Sequence, residues 1–280
     1  MSGLFRPAVA GLARHLRDLI SRPEYRSASL LETRLGRLPR HQECKARVHG
    51  WVLRIPDAAS FLGTYRELFV DETLAFEWEG SEPRILDLGA NIGLSVLYYK
   101  RRYPGARVVA FEADPAICRF LVENVHGNGF ADVEVVNKAA WDKTGRLRFS
   151  PDGADGGAVR ADGGAVRAGA AAAGDIEVDA CDLAAYLEGR VFDVVKMDIE
   201  GAEARVLRAI APHLRSVRHL FVEYHSRVGE SQELADVLRL MAEAGFRVHV
   251  RSVWSSRSPL LRLESQSGFD MQLFLFGRRR

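Results

Sequence analysis

From residue 84 to the end of the chain, short apolar runs alternate with stretches of helical periodicity. The apolar runs occupy residues 85–88, 107–111, 133–137, 192–198, 219–224, 246–253 and 271–277. Helices are predicted at 94–102, 115–126, 202–213 and 231–244. This alternation predicts an α/β fold whose mostly parallel, seven-stranded sheet has helices on both faces. The last two runs have no helical pattern between them, so the last strand is predicted to be antiparallel.

The first 47 residues form a predicted helical extension to this sheet. Residues 8–20 place their apolar side chains on one side of a helix, and a second helix is predicted at 28–38. We expect the extension to pack on the main domain, residues 48–280, or on a second subunit in a homo-oligomer. The segments 48–55 and 65–78 are predicted to be extended.

Charge and cysteine content narrow the class of protein. The net charge of +2 is too small to favour a nucleic-acid partner, although residues 1–50 carry ten basic and four acidic side chains. The three cysteines are far apart, so neither a disulfide framework nor a zinc site is expected, and a reducing cytoplasm is the expected location. The chain has no signal-peptide pattern and no apolar stretch of about twenty residues, so no membrane span is predicted.

A tandem repeat interrupts the α/β pattern. The sequence ADGGAVR occurs at 154–160 and again at 161–167, followed by AGAAAAG. Its glycine and alanine content, without apolar periodicity, predicts a flexible surface loop over about 150–175. The alternative is a lid that closes over a substrate.

The sequence ILDLGANIG joins the first strand of the sheet to its helix. Gly89 and Gly93 tolerate positive φ and the close approach of a ligand, and Asn91 is the next most tolerant residue type. Ala90 lies within this turn, whose backbone N–H groups are offered to a ligand at the start of the helix. Asp87, at the carboxyl end of the strand, can accept hydrogen bonds from a ligand's ammonium group.

An acid at the end of the second strand indicates an adenosine ligand. Glu112 lies 23 positions after Gly89 and can bind both hydroxyls of a ribose, which NAD and S-adenosylmethionine (SAM) share. A dinucleotide fingerprint requires glycines at 89, 91 and 94, whereas this chain has Asn91 and Leu94. The spacing therefore favours SAM, which has no pyrophosphate to place on the turn.

Three motifs together resemble the FkbM family of SAM-dependent methyltransferases. They are DLGANIG, FEADP at 111–115 and KMDIEGAE at 196–203, and the resemblance runs from about Gly50 to the C-terminus. SFLGTYRELF upstream and VEYH downstream also fit the family's layout. The resemblance implies a class I, Rossmann-like methyltransferase fold with seven strands. It also implies O-methylation of hydroxyls on natural products or sugars.

The family's site residues are carried over to matching positions of this chain. The resemblance implies that four residues line the SAM turn: Asp87, Gly89, Asn91 and Gly93. It implies that Glu112 holds the ribose and that Ala113 and Asp114 lie beside the adenine. Asp198, at the end of the fourth strand, is expected next to the reacting methyl group.

Polar side chains follow the fourth and fifth strands, where the reaction is expected. They are Asp198, Glu200, Glu203, Glu223, Tyr224 and His225. A hydroxyl acceptor must lose a proton, and His225 is the first candidate for general base because its unperturbed pKa is about 6.5. Glu200 is the second candidate. An alternative places a divalent cation between Asp198, Glu223 and His225, although their spacing does not require a metal.

The sequence therefore predicts a SAM-dependent O-methyltransferase whose partner is a small-molecule hydroxyl acceptor of the sugar or polyketide type. N-methylation is an alternative, although MDIEG stands where an NPPY-type motif is expected. The sequence also leaves open an NAD-dependent oxidoreductase and a cofactor-binding protein without catalysis.

Overall fold

The computed structural model describes residues 17–152, 157–159 and 174–279. These residues fall into two compact units, one that ends at Ala75 and one that begins at Phe76. Most of the predicted helix at 8–20 and most of the ADGGAVR repeat lie outside the described residues. No helix in the described part of the chain combines the length and apolar character needed to span a bilayer.

The first unit contains helices and one hairpin. Residues 17–21 are helical. They are followed by α1 (Pro23–Leu35), β1 (Cys44–Val48), β2 (Trp51–Ile55), α2 (Ala58–Tyr65) and a π-helix (Arg66–Val70). The strands β1 and β2 pair antiparallel, and α1 packs against α2 and the π-helix. Because of this packing, the first compact unit extends beyond residue 47; the domain division at 47/48 stays a prediction.

The prediction that residues 65–78 are extended is wrong, because this segment begins with the end of α2 and the π-helix. The Asp57 side chain accepts a hydrogen bond from the Ser60 N–H and caps α2. Phe61, Tyr65 and Phe69 recur every four residues, and their rings pack 6.0 and 4.8 Å apart. A spacing of four residues places all three rings on one face of a helix. Burying that face stabilises helical structure here instead of the predicted extended structure.

The second unit carries the elements predicted from residue 84 onward. In chain order they are β3 (Arg84–Leu88), α3 (Leu94–Arg102), β4 (Arg107–Phe111), α4 (Pro115–His126), β5 (Glu134–Val136), β6 (Ala139–Trp141), β7 (Gly145–Ser150), β8 (Ala158–Val159), β9 (Ile176–Asp182), α5 (Leu183–Leu187), β10 (Val194–Met197), α6 (Glu203–Ile210), a 3-10 helix (Ala211–Ser216), β11 (His219–Arg227), α7 (Leu234–Glu243), β12 (Arg247–Ser255) and β13 (Phe269–Arg278). All seven predicted strands and all four predicted helices are present.

The seven predicted strands form one sheet in the order β12-β13-β11-β10-β3-β4-β5. From β5 to β11 the neighbouring strands are parallel. The last strand, β13, is antiparallel to both β11 and β12, as predicted. All four residues of β10 and the last four of β3 are buried, so the middle of the sheet is covered on both faces.

The strand order reverses between β3 and β10, which are neighbours in the sheet although far apart in the sequence. In open α/β sheets a ligand binds beyond the carboxyl ends of the strands at such a switch point. The turn after β3 and the loop after β10 both lie there. A second, four-stranded sheet in the order β6-β9-β7-β8 follows β5 in the chain and was not predicted.

Candidate active site at the carboxyl ends of the central strands

The turn after β3 has the backbone that its sequence predicts. Gly89, Asn91 and Gly93 have φ values of 82°, 49° and 90°. The Asn91 side chain supports its own turn, because its Oδ1 accepts a hydrogen bond from the Ile92 N–H at 2.6 Å. Two N–H groups, those of Gly89 and Ala90, donate to the Phe111 carbonyl and fix the turn to the end of β4.

Gly89 is also the point of contact between the two central strand ends. A Cβ atom at this position would lie 1.8 Å from the backbone oxygen of Asp198 and 2.9 Å from its carbonyl carbon. No side chain can occupy that space unless the backbone moves. Gly89 therefore allows the predicted cofactor turn and the loop after β10 to approach within van der Waals distance.

Glu112 lies beside this turn in a mostly buried position. Its Oε2 accepts a hydrogen bond from the Asn91 N–H at 2.9 Å, and its Oε1 accepts one from the Asp114 N–H at 2.8 Å. Burial raises the pKa of Glu112 to about 7, although both N–H donors act in the opposite direction. Each carboxylate oxygen has a second lone pair, so the group can still accept two ribose hydroxyls.

Asp114 has a structural role in addition to its predicted position beside adenine. Its Oδ1 accepts hydrogen bonds from the N–H groups of Ala116 and Ile117, which makes Asp114 the N-cap of α4. Ala113 precedes it and is half-buried. This cap fixes the chain directly after Glu112.

A buried lysine that is not among the predicted site residues connects the two strand ends. The Nζ of Lys196 donates to the Gly89 carbonyl at 2.6 Å and lies 3.4 Å from Asp87 Oδ1 and 3.2 Å from Asp198 Oδ2. Burial alone would lower the pKa of Lys196, but the two aspartates raise it above its ordinary value. A lysine within the apolar run FDVVKMD is the signal that could have identified it, since lysine is rarely buried without a partner.

Asp87, predicted to accept a ligand's ammonium group, is fully buried. Its Oδ2 accepts a hydrogen bond from the Ser95 hydroxyl at 2.5 Å, and its Oδ1 faces Lys196. Burial raises the pKa of Asp87, although Lys196 and Ser95 act in the opposite direction. In this conformation Asp87 therefore stabilises the end of β3 through its contacts with Ser95 and Lys196. Its contact with a ligand stays a prediction.

His225, the first candidate for general base, is enclosed by carboxylates. Its Nδ1 lies 3.0 Å from Glu203 Oε1, while its Nε2 lies 3.5 Å from Glu200 Oε2 and 3.7 Å from Glu223 Oε1. Burial alone would lower the pKa of His225, but the carboxylates, led by Glu203, raise it well above its ordinary value. The side chain is 1% exposed.

The loop after β10 aims Glu200 at this histidine through an uncommon backbone. Glu200 and Gly201 both have positive φ, 56° and 97°, and a residue other than glycine rarely adopts this conformation. The Arg227 guanidinium donates to the Glu200 carbonyl at 3.0 Å and holds the turn. Strained backbone of this kind is common at functional sites.

The structure thus brings the predicted residues together in two groups. The first contains the turn from Gly89 to Gly93 with Glu112. The second contains Asp198, Glu200 and His225, whose nearest polar atoms lie within 4.8 Å of one another. The backbone contact between Gly89 and Asp198 joins the two groups.

Comparison with known proteins gives a consistent picture. The family model of the methyltransferase FkbM domain matches residues 87–248. The chain is 28% identical over 221 residues to methyltransferase sdnD of Sordaria araneosa, with 68% of this chain and 84% of that protein covered. It is 28% identical over 162 residues to 2-O-methyltransferase NoeI of Sinorhizobium fredii, with 52% and 65% covered.

A solved structure supports the fold independently. The SAM-dependent methyltransferase from Agrobacterium tumefaciens matches with a TM-score of 0.52 at 10% identity, covering 87% of this chain and 72% of that one. At this identity the match concerns the fold alone, which is the class I, Rossmann-like fold predicted from the sequence. Because the family model spans more than half of the residues, the chain belongs to the FkbM family of methyltransferases.

Proposed function

We propose that this protein is a SAM-dependent O-methyltransferase that acts on a hydroxyl of a small natural product of the sugar or polyketide type. The contact of Gly89 with the Asp198 carbonyl carries the proposal, because the predicted cofactor turn then lies directly beside a cluster of groups able to accept a proton. The similarity to NoeI, a 2-O-methyltransferase by name, favours oxygen as the acceptor atom.

Five features of the turn and its surroundings fit SAM. The backbone from Gly89 to Gly93 would hold the cofactor, Glu112 would accept its ribose hydroxyls, and Ala113 and Asp114 would lie beside its adenine. When bound, SAM supplies a methyl group on a positively charged sulfonium. The acidic side chains after β10 and near the carboxyl end of β11 favour a cation at this position.

In this proposal, a carboxylate beside His225 is the general base that removes the proton of the acceptor hydroxyl. The imidazole is almost fully enclosed, and both of its nitrogens face carboxylates. Glu203 is equally enclosed and hydrogen-bonded to His225. Glu200 and Glu223, with 15% and 17% of their side chains exposed, can reach an acceptor. In this proposal His225 positions the two acids.

We expect SAM, and not NAD, to bind to the protein in isothermal titration calorimetry. SAM binding with one site per chain supports the proposal, and NAD binding without SAM binding would overturn it. Firm SAM binding without methyl transfer to any member of a broad panel of hydroxyl and amine acceptors would favour a cofactor-binding protein without catalysis.

The affinity for SAM is expected to fall as the pH drops through about 7. The pKa of Glu112 is about 7 before SAM binds, and only the ionised carboxylate can accept both ribose hydroxyls. The affinity contributed by this group should therefore rise about tenfold between pH 6 and pH 8. Calorimetry with the native protein and with Glu112→Gln measures it, because SAM's own amino group titrates identically in both. Parallel pH profiles for the two proteins would contradict the role of Glu112.

Substitutions in the His225 cluster are expected to affect turnover far more than SAM affinity. Glu200→Gln and Glu223→Gln keep the size of the side chain but remove the acid, and the one that is the base should lose about 100-fold in kcat. His225→Ala should also lower kcat, because Glu200 and Glu223 lose the group that they face. Steady-state kinetics with matched SAM binding curves measure both effects. A kcat unchanged in all three variants would remove this cluster from the reaction.

A further inference from the structure

Three side chains have the arrangement of a cation site, two of them after β10 and one near the carboxyl end of β11. Asp198, Glu200 and His225 each offer one ligand atom, and these atoms lie within 4.8 Å of one another. A metal ion with ligands about 2.1 Å away places adjacent ligand atoms about 3 Å apart and opposite ones about 4.2 Å apart. The distance of 3.5 Å between His225 Nε2 and Glu200 Oε2 lies between these two values.

The histidine is oriented as a metal ligand is. Its Nδ1 is hydrogen-bonded to Glu203 at 3.0 Å, which leaves Nε2 directed at the carboxylates of Glu200 and Glu223. Glu203 is itself fixed, because the Gly201 N–H donates to the same Oε1 at 2.9 Å. A buried carboxylate on one imidazole nitrogen is the usual arrangement when the other nitrogen binds a metal.

The local charge also favours a cation. Five carboxylates lie at this edge: Asp87, Asp198, Glu200, Glu203 and Glu223. The single charge of Lys196 is shared between Asp87 and Asp198. The guanidinium of Arg227 donates to the backbone oxygen of Glu200, and its Nε lies 3.8 Å from Glu230, outside the group. Among the described residues, Lys196 and His225 are basic groups that these five carboxylates face.

We propose that Asp198, Glu200 and His225 bind an octahedral divalent cation, Mg²⁺ or Mn²⁺, and that this cation holds an acceptor through two adjacent oxygens. The two carboxylates suit both ions, the imidazole nitrogen favours Mn²⁺ over Mg²⁺, and three positions are left open. Acceptors of this kind include vicinal diols, catechols and α-hydroxy acids. The inference rests on the proposed function and names the acceptor class for that same site.

The cation gives Glu223 a defined part in the reaction. One acceptor oxygen, bound to the cation, becomes more acidic and gives its proton to the Glu223 carboxylate. That oxygen then forms a bond to the methyl carbon, while the carbon–sulfur bond breaks and its electron pair stays on sulfur. The products are a methyl ether, S-adenosylhomocysteine and a protonated Glu223. No oxidant or reductant is needed.

The site is tested by titrating MnCl₂ into the chelator-treated full chain and measuring free Mn²⁺ by electron paramagnetic resonance. We expect one Mn²⁺ per chain, and a loss of at least tenfold in affinity in Asp198→Asn and in Glu200→Gln. Glu203→Gln, which changes only the group behind His225, should lose about tenfold or more. The matched control is Glu230→Gln, a nearby acid that does not face His225, and its affinity should be unchanged.

The outcomes separate this inference from the proposed function. Absence of stoichiometric Mn²⁺ binding, or an equal loss in Glu230→Gln, overturns the cation site. If the metal-free protein still binds SAM and methylates an acceptor at the native rate, the cation inference fails while the proposed function stands. Failure to bind SAM with or without Mn²⁺ overturns the proposed function instead. His225→Ala is not needed, so a folding defect at that buried position does not affect the test.

The acceptor class is tested without turnover, through the effect of the metal on binding. Catechol and phenol differ by one adjacent oxygen, and only catechol can occupy two positions on the cation. With SAM replaced by S-adenosylhomocysteine, catechol should bind at least tenfold more tightly in the presence of Mn²⁺ than after chelation, while phenol should not change. An equal effect of Mn²⁺ on both compounds would overturn the two-oxygen acceptor.

Discussion

Replacing Gly89 with alanine is expected to abolish SAM binding at micromolar concentrations and to destabilise the fold by about 4 kcal/mol or more. The new Cβ would lie 1.8 Å from the Asp198 backbone oxygen, which no side-chain rearrangement can relieve. The ends of β3 and β10 would have to separate. That movement would also break the hydrogen bond from Lys196 to the Gly89 carbonyl. Urea unfolding and calorimetry with SAM measure the two effects.

Gly129 supplies the matched control. Its φ of 93° is close to the 82° of Gly89, but a Cβ there meets no atom within 4 Å. Gly129→Ala therefore carries the cost of the left-handed backbone alone, about 1–2 kcal/mol. The excess loss in Gly89→Ala isolates the contact with Asp198. A folded Gly89→Ala protein with native SAM affinity would show that this contact does not support the cofactor turn.

Local sequence patterns predict the elements that the chain forms with near neighbours. The helices Leu94–Arg102 and Pro115–His126 have their predicted bounds. In the second helix, Asp114 is the N-cap and Pro115 is the first helical residue. Both are local start signals that do not depend on distant contacts. The turn after β3 is predictable for a similar reason, because a sharp turn from strand to helix requires positive φ and Gly89 and Gly93 permit it.

Elements that form by pairing with distant parts of the chain cannot be predicted from such local patterns. The strand Ala139–Trp141 pairs with Ala180–Asp182, some forty residues away, and short alternating segments do not reveal such partners. The aromatic content of the segment around Phe61, Tyr65 and Phe69 favours extended structure, although its spacing of four is helical. Periodicity is the better guide there than composition, because the spacing determines which side chains share a buried face.

In the candidate site, too, local features can be predicted from the sequence and distances that depend on strand pairing cannot. The polar residues after β10 and at the end of the fifth apolar run can be selected from the sequence because parallel strands end at one edge, although β11 extends to Arg227 and contains His225. The distances between these residues cannot be predicted from the sequence. The approach of His225 to Glu203 and Glu200 depends on how β11 pairs with β10 and on the left-handed turn at Glu200. Lys196 illustrates the point most clearly. Its partner Asp87 stands opposite it in the sheet register, 109 positions earlier in the chain.

Replacing Lys196 with methionine is expected to destabilise the protein by about 3–5 kcal/mol, the usual cost of removing one partner of a buried ion pair. Methionine has a similar length, so the change leaves the packing largely intact but removes the charge facing Asp87, which is fully buried. Urea unfolding at pH 7 without SAM measures the loss. Asp87 already has a raised pKa, and losing Lys196 raises it further. The deficit should therefore shrink as the pH falls through that pKa and Asp87 becomes neutral.

A second buried lysine, Lys100, tests whether the loss of stability comes from the burial of the lysine or from the burial of the acid that faces it. Lys100 donates to the Ala106 carbonyl at 2.8 Å, as Lys196 does to the Gly89 carbonyl, and to Asp132 at 2.7 Å. The Asp132 side chain is 64% exposed and can be solvated by water when the lysine is lost. Lys100→Met should therefore cost about 1–2 kcal/mol, mainly for the lost hydrogen bond to the Ala106 carbonyl. The double variant Asp87→Asn/Lys196→Met should recover much of the stability, because no uncompensated charge then stays fully buried, although the hydrogen bond to the Gly89 carbonyl stays lost. Equal losses in the two lysine variants, or no recovery in the double variant, would show that the charge of Asp87 does not determine the cost.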